Sequence, residues 1–111
     1  KRPDGKFVEV QIKARSRHVK FGDAALFAAI KHEYRFNYWF VFYSERIDRT
    51  WIMSSKEFIE MSHQNHTGNN IGKRVIWMNG KNSKEQKEHV KPQYEKYLVN
   101  DFQRLLHEEP G

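Results

Sequence analysis

Strict alternation dominates the start of the chain. In Phe7-Val8-Glu9-Val10-Gln11-Ile12-Lys13, the side chains of Val8, Val10 and Ile12 fall on one side of an extended backbone, and Glu9, Gln11 and Lys13 join Phe7 on the other. Period two predicts a strand whose valine and isoleucine side meets the core. Pro3-Asp4-Gly5-Lys6, just before it, reads as a tight turn with Asp4 and Gly5 as the central pair. Leu26, Phe27 and Ile30 share a helical face behind Asp23, a potential cap, so a helix is predicted over 23–33, with a strand as the competing reading. Tyr38 to Ser44 is apolar on both sides, which suits a central strand covered on each face.

Trp51-Ile52-Met53 predicts another short strand, and Ser54-x-x-Glu57 has the spacing of a capping box for a helix over 55–65. The loop His66 to Gly72 leads into a predicted strand, Lys73 to Met78, closed by Asn79-Gly80. A charged stretch, Lys81 to Lys91, follows. Pro92 interrupts any helix there, and Tyr94, Tyr97, Leu98, Phe102, Leu105 and Leu106 recur at mostly helical spacing toward the C-terminus. These elements predict an α/β fold: a single domain over 1–111, with a mixed central β-sheet of about four or five strands flanked by helices.

Composition narrows the class. A chain of 111 residues holds one domain. Its longest apolar run, Tyr38 to Tyr43, is far short of the roughly 18–20 residues of a membrane helix. No signal-peptide pattern opens it, so a cytoplasmic location and no membrane partner are expected. With no cysteine, a disulfide scaffold and thiolate zinc sites are excluded. Aromatic residues make up 14% of the chain, enough to bury a core, which argues against disorder. The chain begins at Lys1 and not Met, so upstream residues are expected.

The net charge is +6, and it is unevenly placed: residues 1–35 carry nine basic and four acidic groups. The densest run is Lys13, Arg15, Arg17, His18 and Lys20, directly after the first strand. Such an array faces either solvent or a phosphate backbone.

The polar face Glu9, Gln11, Lys13 carries the most chemistry. Phosphodiester hydrolysis with Mg²⁺ needs oxygen donors for a hard cation and a fixed ammonium beside it. The bare pattern of an acidic residue or Gln, any residue, then Lys is weak, because Asp4-Gly5-Lys6 and Glu85-Gln86-Lys87 match it as well. Only Gln11-Ile12-Lys13 sits in an apolar-backed strand that runs into the basic cluster. An ordinary amphipathic strand has the same pattern.

Phe7 to Ser16 resembles the third core strand of the PD-(D/E)xK restriction-endonuclease-like nucleases, in the variant with Gln in place of the acidic residue of E-x-K. The helix and buried strand expected after it, over 23–31 and 38–44, follow the order of that fold. The later elements are similar to the tails of uncharacterised bacterial members. The resemblance implies a divalent-metal-dependent endonuclease acting on DNA, with Mg²⁺ or Mn²⁺ and no small-molecule cofactor. It implies Lys13 as the catalytic lysine, with Gln11 and Glu9 as catalytic and metal-binding side chains and Ile12 as a ligand through its carbonyl. Apart from the resemblance, the basic cluster offers Arg15, Arg17 and Lys20, and the glycine loop is flanked by Lys73 and Arg74, as residues to hold the nucleic acid, and a homodimer is one admissible assembly. An inactive module that keeps the fold for nucleic-acid or protein binding is the alternative.

That family needs an Asp on the preceding strand. With Asp4 and Gly5 central, Pro3 would face Lys6 and Lys1 would face Val8, so the partner of Gln11 falls before Lys1. Asp4 is therefore read as a turn residue, and the metal-binding Asp is expected upstream. The loop Gly68 to Arg74 lacks the length, the hydroxyl residue and the following helix of a P-loop. His63 and His66 lack further zinc ligands, and no serine sits in a nucleophile elbow. The aromatics Trp39, Phe40, Phe42, Tyr43, Trp51 and Trp77 read as core, with Trp77 the one open to partial exposure.

Overall fold

The chain folds around strands whose side chains alternate between two apolar layers. The computed structural model describes residues 2–18, 25–69, 71–81 and 88–108. In order along the chain come β1 (Glu9–Arg15), β2 (Leu26–Ile30), β3 (Tyr38–Ser44), β4 (Arg49–Ser54), α1 (Ser55–Met61), β5 (His63–Gln64), β6 (Arg74–Trp77), β7 (Asn79–Lys81) and β8 (Glu88–Val90). A 3₁₀ turn (Pro92–Tyr97), β9 (Leu98–Val99) and α2 (Gln103–His107) complete it. Instead of one sheet, the described residues form three: a mixed sheet ordered β1-β3-β4-β9, an antiparallel sheet β2-β6-β5 and the hairpin β7-β8. The result is an α/β domain with few helices.

β3 is the spine of the mixed sheet, and its burial on both sides agrees with its unbroken apolar sequence. Phe40 and Phe42 join Trp51, Met53, Phe58, Phe27 and Ile76 in the larger core. Trp39, Val41 and Ile52 point the other way, to a smaller core closed by Leu105 of α2. β1 lies parallel to β3, with Gln11 opposite Phe40 and Lys13 opposite Phe42, and among the described residues it is the edge strand of this sheet.

This register reverses the expected orientation of β1. Gln11, Lys13 and Arg15 are half-buried on the side of the larger core, whereas Val10 and Ile12 are 42% and 70% exposed. Among the described residues the smaller core, which includes Leu105 of α2, takes in Val8, just before β1, but neither Val10 nor Ile12.

The helix expected over 23–33 is not formed in residues 25–33, the part that is described. Its described part contains β2, paired with β6 through Leu26 opposite Trp77 and Phe27 opposite Ile76. The register shifts between Phe27 and Ile30, and Ala29 takes a φ of 58°. A bulge of this kind returns side chains three apart to the same face, so Phe27 and Ile30 are both buried at what looks like helical spacing. Asp23, the expected cap, lies outside the described residues.

The capping box of α1 is present, with Glu57 N–H donating to Ser54 Oγ and Ser54 N–H donating to Glu57 Oε1. α1 stops at Met61 and not near 65, because His63 and Gln64 pair with β6. The C-terminal segment is divided in the same way: Pro92 opens a 3₁₀ turn, Leu98 and Val99 pair with β4, and only 103–107 is α-helical. The first turn centres on Pro3 and Asp4: Gly5 N–H donates to Arg2 C=O, and Arg2 N–H donates to Lys6 C=O. Gly5 takes the left-handed φ of 84°, which glycine adopts without strain. Buried Arg2 then donates to the carbonyls of Leu106 and Glu108, tying this turn to the end of α2.

Candidate functional site

The odd-numbered residues of β1 line up on one face about 6.6 Å apart, and each meets a different neighbour. Glu9 forms an ion pair with Arg35 at 2.6 Å. Gln11 Oε1 accepts a 2.8 Å hydrogen bond from the Tyr38 hydroxyl. Burial, and then the charge of Glu9, raise the pKa of Tyr38 against the opposing pull of Arg35, so the phenol stays protonated and remains a donor. Lys13 makes no side-chain hydrogen bond or ion pair among the described residues. Together with Arg15 it lines a recess of about 230 Å³ against Leu26, Phe27 and Ile30 of β2.

A second recess, of about 530 Å³, adjoins the Glu9 end of this face. It lies under the 31–37 loop, and the sequence pattern did not mark it. Its wall is pinned at three points. Ser55 Oγ accepts Arg35 N–H at 3.0 Å, the same hydroxyl bonds His32 Nε2 at 2.7 Å, and Asn37 C=O accepts Glu9 N–H at 2.8 Å. The His32 ring packs 4.8 Å from both Tyr38 and Phe40, edge-on to the latter. Burial first, then the charges of Arg35 and Arg74, lower its pKa, so the imidazole is neutral at neutral pH.

The remaining residues expected at the site are scattered. Arg17 pairs with Glu45 at 3.4 Å. Lys20 lies outside the described residues. Arg74 donates to Ile59 C=O and Ser62 Oγ, so its guanidinium is engaged at the C-terminal end of α1, while half-buried Lys73 precedes it. Ile12 exposes its side chain. Asp4 sits in the turn, where Oδ1 accepts Lys6 N–H and Oδ2 lies 3.6 Å from the Arg2 guanidinium. His63 and His66 are both exposed. Trp77 is 43% exposed, with Lys91 Nζ 3.6 Å from its ring centroid.

Mg²⁺ binds through one or two carboxylates plus further oxygens. Here Glu9 is held in an exposed ion pair by Arg35, Gln11 Oε1 already accepts one hydrogen bond, and no cluster of three acidic or histidine side chains forms among the described residues. These residues alone do not make up a complete Mg²⁺ site. Among them, no helix is long and apolar enough to cross a membrane.

What the face offers is a half-buried ammonium next to a guanidinium on a rigid strand, with an oriented amide one step away. Such an arrangement suits a phosphate more than a neutral ligand. No protein-family model, curated protein or solved structure gives a significant match to this chain.

Proposed function

We propose that the domain engages the phosphate backbone of DNA along β1 and serves metal-dependent hydrolysis of its phosphodiester bonds. Lys13 would neutralise the charge developing on the phosphoryl oxygens, and Arg15 would hold the neighbouring phosphate. The observation that carries this reading is the alignment of Gln11, Lys13 and Arg15 on one half-buried face of a strand whose outer edge has no neighbour among the described residues. That open edge leaves room for a strand from outside these residues, and a carboxylate on it would supply what Glu9 and Gln11 lack. The restriction-endonuclease-like arrangement suggested by Phe7 to Ser16 is part of this proposal.

A second reading keeps DNA binding without cleavage, and the Glu9–Arg35 ion pair favours it, since that carboxylate already has a cationic partner. Nicking of supercoiled plasmid in Mg²⁺ or Mn²⁺, by the protein and by Lys13→Ala, separates the two. Hydrolysis requires the variant to be slower by on the order of 10²-fold or more. Equal nicking by both proteins removes Lys13 from the chemistry, and binding of DNA with no nicking by either leaves the second reading.

A further inference from the structure

The 31–37 loop alternates rings and charges, Lys31-His32-Glu33-Tyr34-Arg35-Phe36, and its interior members are spent on structure while its outer ones are not. His32 and Arg35 anchor it through Ser55 and Glu9. Tyr34 and Phe36 are 53% and 64% exposed, and the side chains of Lys31, Tyr34 and Phe36 make no hydrogen bond, ion pair or ring contact with the described residues. Exposed rings usually cost solubility, and a pinned loop that displays them beside a lysine is a preorganised surface. The recess below has a volume of about 530 Å³, within the range of roughly 300–1,000 Å³ typical of ligand clefts.

Tyr34, Lys31 and Arg35 line that recess, and Gln64 faces them from β5. Gln64 Nε2 donates to Gly72 C=O at 3.2 Å, which fixes the amide and leaves its oxygen as an acceptor. A stacking ring, an exposed ammonium and an amide acceptor are the groups that take an unpaired nucleotide: base on ring, phosphate on cation, base edge on amide. We propose that this recess is a subsite for one unpaired nucleotide of a nucleic-acid strand whose backbone continues onto Lys13 and Arg15. The proposal rests on the phosphate-binding reading of β1. It adds that the strand is single at this point, through melting, flipping or a free end.

The test is fluorescence-anisotropy binding of a short labelled single strand and of the matching duplex, in EDTA so that cleavage plays no part. Wild type is compared with Tyr34→Ala, Tyr34→Phe, Lys31→Ala and Lys13→Ala. Loss of the stacked ring should weaken single-strand binding roughly tenfold with no change in its salt slope, and Tyr34→Phe should restore it. Lys31→Ala should make the slope shallower by about 0.7. Because Tyr34 is exposed, its variants should melt with wild type, which confirms that they fold. Single-strand binding that is unchanged in Tyr34→Ala but lost in Lys13→Ala overturns the subsite and spares the reading of β1. A wild-type protein that binds neither strand nor duplex overturns both.

Discussion

Arg104 gives the most quantitative test of how the frame behind β1 is held. Its side chain is four-fifths buried and joins three elements. Nη1 donates to Ile52 C=O of β4 at 2.7 Å, Nη2 to Glu57 Oε2 of α1 at 2.7 Å and Nε to Glu108 Oε2 at 2.6 Å. The guanidinium also lies 4.9 Å from the ring centroid of Trp39, which stands opposite Val10 of β1. The two half-buried charged bonds contribute about 1–1.5 kcal/mol each. The more exposed pair to Glu108 adds about 0.4 kcal/mol, and the ring contact about 0.5 kcal/mol. Arg104→Ala should therefore cost about 3 kcal/mol. For a chain of this length the unfolding entropy is about 0.23 kcal/mol/K, so Tm should fall by about 13 °C in a calorimetric or circular-dichroism melt.

The loss also carries a pH signature. Burial alone would raise the pKa of Glu57, but its bonds from Arg104 and Ser54, with the charge of Arg104, bring it below the ordinary carboxylate value. A lowered folded pKa means that this stabilisation is present above the unfolded value and is lost as pH falls through the folded one. In Arg104→Ala the burial remains while the main opposing charge is gone, so the difference from wild type should be largest at neutral pH and shrink toward pH 3. Arg104→Lys, which keeps the charge but not the planar fork, should recover about half. A loss below about 1 kcal/mol, or one independent of pH, would refute this assignment.

Three other outcomes are expected. Ile12→Ser should shift stability by less than about 0.5 kcal/mol in urea titration, because the side chain is exposed, while Ile52→Ala should cost about 2–5 kcal/mol. Asn79 is fully buried and its Oδ1 accepts Ala25 N–H at 2.7 Å, so Asn79→Ala should cost about 1–3 kcal/mol by stranding that donor. His32 has a lowered folded pKa, so the unfolded chain takes up its proton first, and stability should decline as pH falls from about 6.5. His32→Gln should flatten that part of a Tm-against-pH profile; an unchanged slope would show that another group sets it.

Local signals were readable in the chain and distant ones were not. Ser54 and Glu57 sit three residues apart, so their mutual caps show in the sequence itself, and the unbroken apolar run of β3 announced burial on both sides. β2 was misleading because one bulge converts a period of two into a spacing of three. β1 was recognisable as a strand, but which side it buries is set by its register on β3, where Gln11 and Lys13 stand opposite Phe40 and Phe42, and nothing in residues 7–13 encodes that. The partners of the polar face were beyond the reach of pattern: Glu9 meets Arg35 across 26 positions and Gln11 meets Tyr38 across 27. The alternation of cations and rings from Lys31 to Tyr38 was the available signal for the second recess.

Phosphates held along β1, as proposed, make duplex binding depend on salt. Log K for the wild-type protein should fall linearly with log salt concentration by roughly 0.9 per phosphate contacted, and Lys13→Ala should bind more weakly with a slope shallower by about that amount. Binding that ignores salt, or a Lys13→Ala protein whose slope and affinity match wild type, would contradict it.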